Sequence, residues 1–475
     1  MHYTFKFSFI AVLALLSHGG QLFSQQVSFI KEVAPIFKEY CFACHDSKKR
    51  SGKYDMTTFE QLLEGGAGGE GIVPGKLKES DLFHLIVTDE KRRMPPRKDN
   101  LSGVPAAKAA IIKTWIEQGA KLDGGIEPKA NLVKELRIRW QPPTPPEKYQ
   151  FPAVINALVF TTDDKQLIVS GHHELTFWDV ATGKLAKRLR TRAERAYAII
   201  PLDDNRIIVA GARPGQEGDI CIYNISAAGP TANGVVVLDG VANPKVREKT
   251  LLEVEDSVLA LDLSPDGKQL AAGGCDRIIR VWDLASGKIV REFENHADWV
   301  MGVRFTPDGT RLLSCSRDKT AKIWDLKTNE SIMTMPDHQN IVYGVGVKAD
   351  GKTGYSVGAD KQVRSWLLSG QGKGSKGLGS HGDEILHFKQ HPKLPLGATA
   401  SADKTVKLWD LEKGTNTKTF TGLKDHVFAV AISTKGELVA AGGYDGEVKI
   451  WQVADGKETL SFIAAPGYVK KADPK

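Results

Sequence analysis

The sequence predicts two domains of different class, a small all-α domain followed by an all-β propeller of seven blades. Near the amino end, Cys41-Phe42-Ala43-Cys44-His45 forms a Cys-x-x-Cys-His motif, preceded by apolar residues at helical spacing. From residue 151 onward, an aromatic residue recurs at intervals of 45, 59, 42, 42, 43 and 42 residues. An internal period of about 40–45 residues is typical of four-stranded propeller blades.

The first 24 residues are predicted to be a secretory signal peptide. A ten-residue apolar run, residues 7–16, follows Lys6 and gives way to small and polar residues through Ser24. This order fits a leader, and the run is shorter than the ~20 residues that a membrane-spanning helix needs. We expect cleavage near Ser24 and a periplasmic or otherwise extracytoplasmic protein without a membrane span. An uncleaved anchor is the alternative.

Composition predicts an ordinary folded protein. Hydrophobic residues make up 41% of the chain and charged residues 25%, as in globular domains. The net charge of +7 is modest, and no nucleic-acid partner is predicted because no basic recognition motif accompanies it. Cys221, Cys275 and Cys315 fall on predicted strands far apart in sequence, which favours buried thiols over a disulfide.

The Cys-x-x-Cys-His motif predicts a covalently attached haem in a first domain, residues 25–125. On one helical turn, Cys41 and Cys44 reach two sides of one porphyrin while His45 turns toward the iron. A zinc site would need a second ligand pair to complete four ligands, and none follows within the next hundred residues. Haem c, with His45 as the proximal iron ligand, is therefore the predicted cofactor.

Two helices are predicted at the ends of this domain. Apolar residues from Ile30 to Phe37 give helical spacing into the motif, with Pro35 near a helix start. Pro105 and Gly119 bound a second helix over residues 106–118. The chain between them is predicted to be loops. Its glycine cluster, residues 65–69, indicates turns rather than a phosphate loop, because Gly-Lys-Ser/Thr is missing.

Met94 is the predicted distal iron ligand. It precedes two prolines that stiffen its loop, ahead of the last helix. A thioether opposite an imidazole favours ferrous iron and raises the potential. Met56, His84 and an open iron are the alternatives, although His84 lies in an apolar run that favours a packed or surface role.

The first domain resembles the planctomycete-type cytochrome c family. The resemblance covers about a hundred residues and rests on residues 33–37 before the Cys41–His45 motif, Gly65-Gly66, Pro74-Gly75, Ser80-Asp81-Leu82, Met94-Pro95-Pro96 and residues 115–120, in that order. It implies a class I-like fold and one covalent haem with His45 and Met94 as axial ligands.

A basic loop surrounds the predicted distal ligand. Five of the eight residues 91–98 are Lys or Arg. At the haem edge these charges would steer an acidic redox partner, mainly through the encounter rate. The alternative is an ordinary solvated loop.

A proline-rich connector, residues 126–150, is predicted to be extended and semi-rigid. The propeller is predicted over residues 151–475, with one repeat aromatic per blade: Trp178, Tyr223, Trp282, Trp324, Trp366, Trp409 and Trp451. Trp-Asp dipeptides at four of these positions give a resemblance to WD40 repeats.

The WD40 resemblance implies that other recurring residues are architectural. Aspartates stand six residues before five of the repeat aromatics, and histidines precede the first strands of four blades: Asp276, Asp318, Asp360, Asp403, Asp445, His296, His338, His381 and His426. His172 replaces the aspartate in the first blade, and the second carries an insertion over residues 228–249. His387 and His391 fall on a strand and the loop after it, which disfavours a metal pair. Residues 458–465 could supply the last outer strand.

These observations predict an exported electron carrier whose propeller is a docking platform for a protein partner on its rim. No catalytic acid, base or nucleophile is identified. The alternative is an oxidoreductase whose propeller holds a second cofactor or substrate and passes electrons to the cytochrome domain. Neither the electron donor and acceptor nor the propeller ligand follows from the sequence.

Overall fold

The computed structural model describes residues 26–47, 49–88, 91–96, 102–369 and 374–469. The chain divides into two compact units, the second of which begins at Gln141. The predicted signal peptide, residues 1–24, lies outside the described residues and stays a prediction. Within the described part of the chain, every helix is too short or too polar to cross a bilayer.

The first unit is built of short helices and turns. A π-helical turn, Phe29–Val33, runs directly into the first helix, and 3-10 turns lie at Ser51–Lys53 and Leu77–Glu79. The helices are α1 Ala34–Tyr40, α2 Phe59–Glu64, α3 Asp81–Val87, α4 Ala106–Glu117 and α5 Leu132–Arg139.

Trp115 on α4 is the centre of the core of this unit. Its ring stacks on Phe29 at 5.2 Å between centroids and meets the edges of Phe37 at 6.3 Å and Phe59 at 6.4 Å. The indole Nε1 donates to the carbonyl of Lys121 at 3.0 Å. Aromatic rings at these distances and angles stabilise a core beyond the area they bury. The helical segment before the Cys-x-x-Cys-His motif and the last predicted helix of the domain therefore pack on each other.

Both helices that the sequence predicted in this domain are present. Helix α4 begins directly after Pro105, and Gly119 follows its end with φ +95°. Helix α1 ends at Tyr40, directly before Cys41.

Helices α2, α3 and α5 were not predicted. Thr58 caps α2, because its hydroxyl accepts from Gln61 N at 3.2 Å, and Thr58-x-x-Gln61 is a capping-box pattern that could have revealed this helix. Asn131 caps α5 in the same way, accepting from Lys134 N at 3.0 Å. The prediction of an extended connector over residues 126–150 is therefore wrong for residues 132–139.

The second half of the predicted connector is bound to the propeller. Arg188 Nη2 donates to the carbonyl of Pro146 at 2.9 Å, and Tyr149 Oη donates to Glu174 Oε1 at 2.5 Å. Arg188 also pairs with Glu174, whose side chain is buried. Residues 126–140 thus belong to the first compact unit, and residues 141–150 belong to the second.

The second unit is a propeller of seven antiparallel blades, which confirms the predicted fold of this part of the chain. The strands of the first three blades are β1 Leu158–Phe160, β2 Gln166–Ser170, β3 Glu174–Asp179, β4 Leu185–Arg190, β5 Arg195–Pro201, β6 Arg206–Arg213, β7 Glu217–Asn224, β8 Thr231–Ala232, β9 Val235–Asp239, β10 Arg247–Val254, β11 Val258–Leu263, β12 Gln269–Gly274, β13 Ile279–Asp283 and β14 Lys288–Phe293. The strands of the last four are β15 Val300–Phe305, β16 Arg311–Ser316, β17 Ala321–Asp325, β18 Glu330–Met335, β19 Val342–Val347, β20 Thr353–Gly358, β21 Gln362–Leu367, β22 Lys376–Ser380, β23 Ile385–Gln390, β24 Leu396–Ser401, β25 Val406–Asp410, β26 Thr415–Phe420, β27 Val427–Ile432, β28 Leu438–Gly443, β29 Glu447–Gln452 and β30 Glu458–Ile463.

The repeat aromatic lies on the third strand of every blade, as the period predicts. Five of the blades use four consecutive strands. The insertion in the second repeat contains β8 and β9. Strand β9 pairs in parallel with β4 of the first blade. The first blade thereby gains two outer strands, β9 and β8, while β10 completes the second blade.

The ring closes between the first and seventh blades. Ile155 N donates to Gly443 O at 3.3 Å, and Thr434 N donates to Asp164 Oδ1 at 2.7 Å. Strand β30 is the outer strand of the seventh blade and pairs with β29, so the last blade is made entirely from carboxyl-terminal chain. Closure thus rests on packing between blades rather than on a strand exchanged between the two ends.

Two of the four repeat histidines complete a chain of hydrogen bonds. In the fourth blade, Trp324 Nε1 donates to Ser314 Oγ at 2.8 Å, and His296 links that hydroxyl to Asp318, with 2.7 Å on each side. His381 makes the same links in the sixth blade.

The other two histidines depart from this pattern. His338 bonds Asp360 and Ser356, but the indole nitrogen of Trp366 has no hydrogen-bond partner among the described residues. His426 is exposed, and Ala441 stands ten residues before the repeat Trp, where the other three blades with a repeat histidine supply a hydroxyl. The implied architectural role therefore fails for His426.

His387 and His391 have separate hydrogen-bond partners. His387 Nδ1 accepts from Val430 N at 3.2 Å. His391 Nδ1 accepts from Leu394 N at 2.8 Å, and its Nε2 donates to Thr434 O at 3.0 Å. His387 therefore bonds to the seventh blade, and His391 bonds both to the seventh blade and to the loop that follows β23.

Burial, with a smaller contribution from Lys389, lowers the pKa of His387 to about 4. The unfolded imidazole has a pKa of about 6.5, so between pH 6.5 and 4 only the unfolded chain takes up this proton. We expect the protein to lose up to about 3 kcal/mol of stability across this window through His387 alone. Denaturant titrations at several pH values should show that the free energy of unfolding falls less steeply with falling pH, that is with a shallower slope, in His387→Gln than in the wild type. The exposed control His426→Gln should keep the wild-type slope, and identical slopes for all three proteins would contradict the assignment.

Candidate haem-attachment site

The Cys-x-x-Cys-His motif forms one tight turn at the end of α1. Cys41 N continues the helical bonding to Phe37 O at 2.8 Å, and the amides of Cys44 and His45 both donate to Cys41 O, at 3.1 and 3.0 Å. Both thiols are free. Cys44 is exposed and Cys41 is partly buried. The structure therefore places Cys41, Cys44 and His45 on a single turn, as predicted.

The two thiols differ in their surroundings. Burial, with a smaller contribution from Cys44, raises the pKa of Cys41 to about 12. Because the thiolate is the reactive species in disulfide formation, a neutral Cys41 disfavours oxidation with Cys44.

His45 is oriented by Tyr54. Its Nδ1 donates to the carbonyl of Tyr54 at 3.3 Å, and the two rings meet edge to face with centroids 5.5 Å apart. A neutral imidazole that donates from Nδ1 carries its lone pair on Nε2, which is the tautomer that a metal-ligating histidine uses.

Tyr54 was not singled out by the sequence, and it is fixed by the glycine-rich loop. Its hydroxyl donates to the carbonyl of Leu62 at 2.6 Å. A Cβ at Gly71 would lie 2.7 Å from the Tyr54 hydroxyl, and a Cβ at Gly66 would lie 2.9 Å from Tyr54 Cβ. The glycines therefore let the loop close on Tyr54. No spacing pattern connects Tyr54 to His45, so this contact could not be predicted from the sequence.

Met94 lies on the loop after α3, outside the core of the unit. Its amide donates to Leu85 O at 2.9 Å, and 38% of the residue is exposed. Arg97 and Lys98, at the end of the predicted basic loop, lie outside the described residues. The assignment of Met94 as distal ligand stays a prediction.

The two competing ligands are engaged elsewhere. Met56 is 1% exposed within the hydrophobic core, and its amide donates to His45 O at 2.8 Å. His84, on α3, has its Nε2 3.1 Å from the carbonyl of Lys78. Met94 is therefore the candidate whose side chain is not already packed or bonded in these ways.

These donors fit a covalently held haem. Two free thiols on one turn match two thioether bonds, and His45 offers Nε2 as an iron ligand. Among the described residues, no group of three or more His, Cys, Asp or Glu side chains is arranged to hold a metal ion.

Comparison with known families agrees with both units. Residues 41–98 match the model of the family described as planctomycete cytochrome C. Residues 248–283, 287–325, 373–410 and 414–452 match the WD domain, G-beta repeat. The first match begins at the Cys-x-x-Cys-His motif, and the repeat matches fall within the propeller.

Relatives among characterised proteins match the propeller part. The small ribosomal subunit protein RACK1y of Oryza sativa is 38% identical over 91 residues, which is 18% of this chain and 25% of that protein. Transcription factor unc-37 of Caenorhabditis elegans is 29% identical over 133 residues, 28% of this chain and 18% of that protein. The probable serine/threonine-protein kinase PkwA of Thermomonospora curvata is 39% identical over 56 residues, 12% of this chain and 8% of that protein.

The chain spans a quarter or less of the length of these three relatives. The matches therefore establish the repeat type and leave activity and partners open. The motif, the blade count and the family matches together show a segment similar to planctomycete cytochrome C, residues 41–98, and a seven-bladed propeller with WD40 repeats.

Proposed function

We propose that the protein is an exported electron carrier with one haem c bound through Cys41 and Cys44, and that its propeller docks a protein partner. The observation that carries the proposal is the His45 geometry. An imidazole held through Nδ1 by the Tyr54 carbonyl, one residue beyond two free thiols, is arranged for a single iron ligand at Nε2. The bound haem would supply reversible one-electron chemistry.

The chain's own residues would hold that haem and set its environment. Cys41 and Cys44 would attach it covalently, and His45 and Met94 would ligate its iron. A class I-like arrangement is supported by the contact of Phe29 and Phe37 with Trp115. The exposed Lys91 and Arg92 stand beside Met94 in sequence. They would favour encounter with an acidic redox partner, an effect that weakens as salt rises.

Docking on the propeller is supported by exposed aromatic residues at one end of the ring. Trp299, 37% exposed, directly precedes β15, and the Arg317 guanidinium lies 4.4 Å from its ring centroid. Tyr444, 56% exposed, directly follows β28. First strands begin and second strands end at the same end of an antiparallel ring, so both side chains belong to one rim. Trp, Tyr and Arg are the residues most enriched in protein interfaces.

The Met94 assignment is tested by the visible spectrum of the haem-loaded full chain. In Met94→Ala, we expect loss of the weak long-wavelength band of Met-ligated ferric haem and a lowered reduction potential, because the thioether favours ferrous iron. Met56→Leu is the matched control, since it removes the competing thioether while conserving core volume. Loss of the band in Met56→Leu, with an unchanged spectrum in Met94→Ala, would reverse the assignment.

The proposed role is tested with the same preparation. A loaded protein that exchanges electrons with a partner but turns over no small substrate alone agrees with an electron carrier. Turnover without a partner, or additional cofactor absorption, would instead favour an oxidoreductase.

A further inference from the structure

A cavity lies on the axis of the propeller. Its volume is about 120 Å³, and it is lined by the inner strands of the first six blades. Its lining combines apolar residues, including Ile199, Leu261 and Met301, with several polar and charged residues. A concave space in which apolar side chains and convergent polar groups meet is typical of a small-molecule site.

Three charged side chains enter this cavity at one level. Asp262, Arg304 and Lys389 each occupy the fifth position of an inner strand, β11, β15 and β23. Arg304 Nη1 donates to Asp262 Oδ1 at 3.0 Å, and Asp262 Oδ2 accepts from Phe305 N at 2.8 Å. The Asp262 carboxylate is therefore already bonded by two groups of the fourth blade.

Lys389 is left without such a partner. Among the described residues, none forms a hydrogen bond or ion pair with its ammonium, whereas Arg304 shares Asp262. Burial, followed by the nearby Arg304, lowers the pKa of Lys389, and Asp262 opposes this shift. An ammonium that is partly withdrawn from water is destabilised unless an anion pairs with it.

The charge balance of the lining indicates the kind of anion. Arg304 and Lys389 give two positive charges against one negative charge from Asp262. His387 is neutral at pH 7, since burial lowers its pKa to about 4, and burial also raises the pKa of Tyr197 and Tyr343. One positive charge remains, which matches a monoanion. The apolar residues of the lining, among them Ile199, Leu261 and Met301, can contact a short hydrocarbon chain.

We propose that the axial cavity binds a small monocarboxylate, with its carboxylate between Lys389 and Arg304 and its carbon chain against the apolar residues of the lining. The site does not involve the haem motif. Failure of this proposal would therefore leave the proposed electron-transfer function unaffected, and the reverse also holds. A charge-assisted hydrogen bond to the lysine would supply much of the affinity.

The test is calorimetric titration of the full chain with butyrate, using butyramide as the neutral analogue of the same shape. We expect saturable binding of butyrate and at least about tenfold weaker binding of butyramide, because the amide cannot pair with the ammonium. Lys389→Met should weaken butyrate binding by about tenfold or more. The exposed Lys393 lies in the same blade, and Lys393→Met should leave the affinity unchanged.

Three outcomes would overturn the proposal: no saturable binding of butyrate, equal binding of butyrate and butyramide, or unchanged affinity in Lys389→Met. Chloride or phosphate that binds as tightly as butyrate would replace the carboxylate site with one for inorganic anions. The unfolding temperature of each variant shows whether it is folded. Should Lys389→Met fail to fold, Lys389→Arg is expected to retain the charge and the preference for butyrate over butyramide, and loss of that preference would count against the proposal.

Discussion

A Cys41→Ala, Cys44→Ala variant is expected to carry no covalent haem when it is produced in a periplasm with haem-attachment machinery. The two thiols lie on one turn and are free, and they are the sulfur atoms from which thioethers to the haem would form. The measurement is haem absorbance that stays with the polypeptide after denaturation and acidic organic extraction. We expect complete loss in the double variant and reduced yield in each single variant.

Cys275→Ala is the matched control. Cys275 is also a free, partly exposed thiol, but it lies in the propeller. We expect this variant to retain haem at the wild-type level. Covalent haem in the double variant, or equal loss in Cys275→Ala, would refute attachment at Cys41 and Cys44.

The propeller was predictable because its repeat is imposed by geometry. Each blade packs a bulky aromatic residue of its third strand against the preceding blade, so Trp282, Trp324 and Trp366 recur at a nearly constant interval. A change in that interval would move the aromatic side chain away from its packing site. Period alone was therefore sufficient for the blade count and for the position of Tyr223.

The parts that escaped prediction depend on contacts between distant residues. Asp262 and Lys389 stand in different blades of the ring, and no local pattern indicates that they share a cavity. Tyr54 orients His45 through a backbone carbonyl, which any residue type could supply. Helix α5 was not predicted because the prolines that follow it favoured an extended segment, although Asn131 is a typical N-cap residue.

The repeat histidines show how a motif can be present without its contacts. His426 stands where the repeat requires a histidine, but the hydroxyl that would accept the indole proton is replaced by Ala441. Without that hydroxyl the ring is exposed and lies near Phe428, at 6.4 Å between centroids. A repeat position therefore predicts a structural role only when all members of the hydrogen-bond chain are present.

This distinction predicts a large stability difference between two histidine variants of the same repeat position. The His296 side chain is fully buried and joins Ser314 to Asp318. His296→Ala leaves a buried hydroxyl and a mostly buried carboxylate without their shared partner, which should cost about 3 kcal/mol.

His426→Ala removes an exposed ring and should cost less than about 0.5 kcal/mol. Calorimetric unfolding of the full chain measures both, because the unfolding temperature of the propeller should fall by several degrees for His296→Ala and hardly at all for His426→Ala.

Ser314→Ala offers a further check, since it removes the link between Trp324 and His296 while leaving the bond from His296 to Asp318 in place. We expect it to cost about 1–2 kcal/mol, between the other two variants. Equal shifts for His296→Ala and His426→Ala would mean that the hydrogen-bond chain does not stabilise the blade and that packing of the repeat aromatics alone holds the ring together.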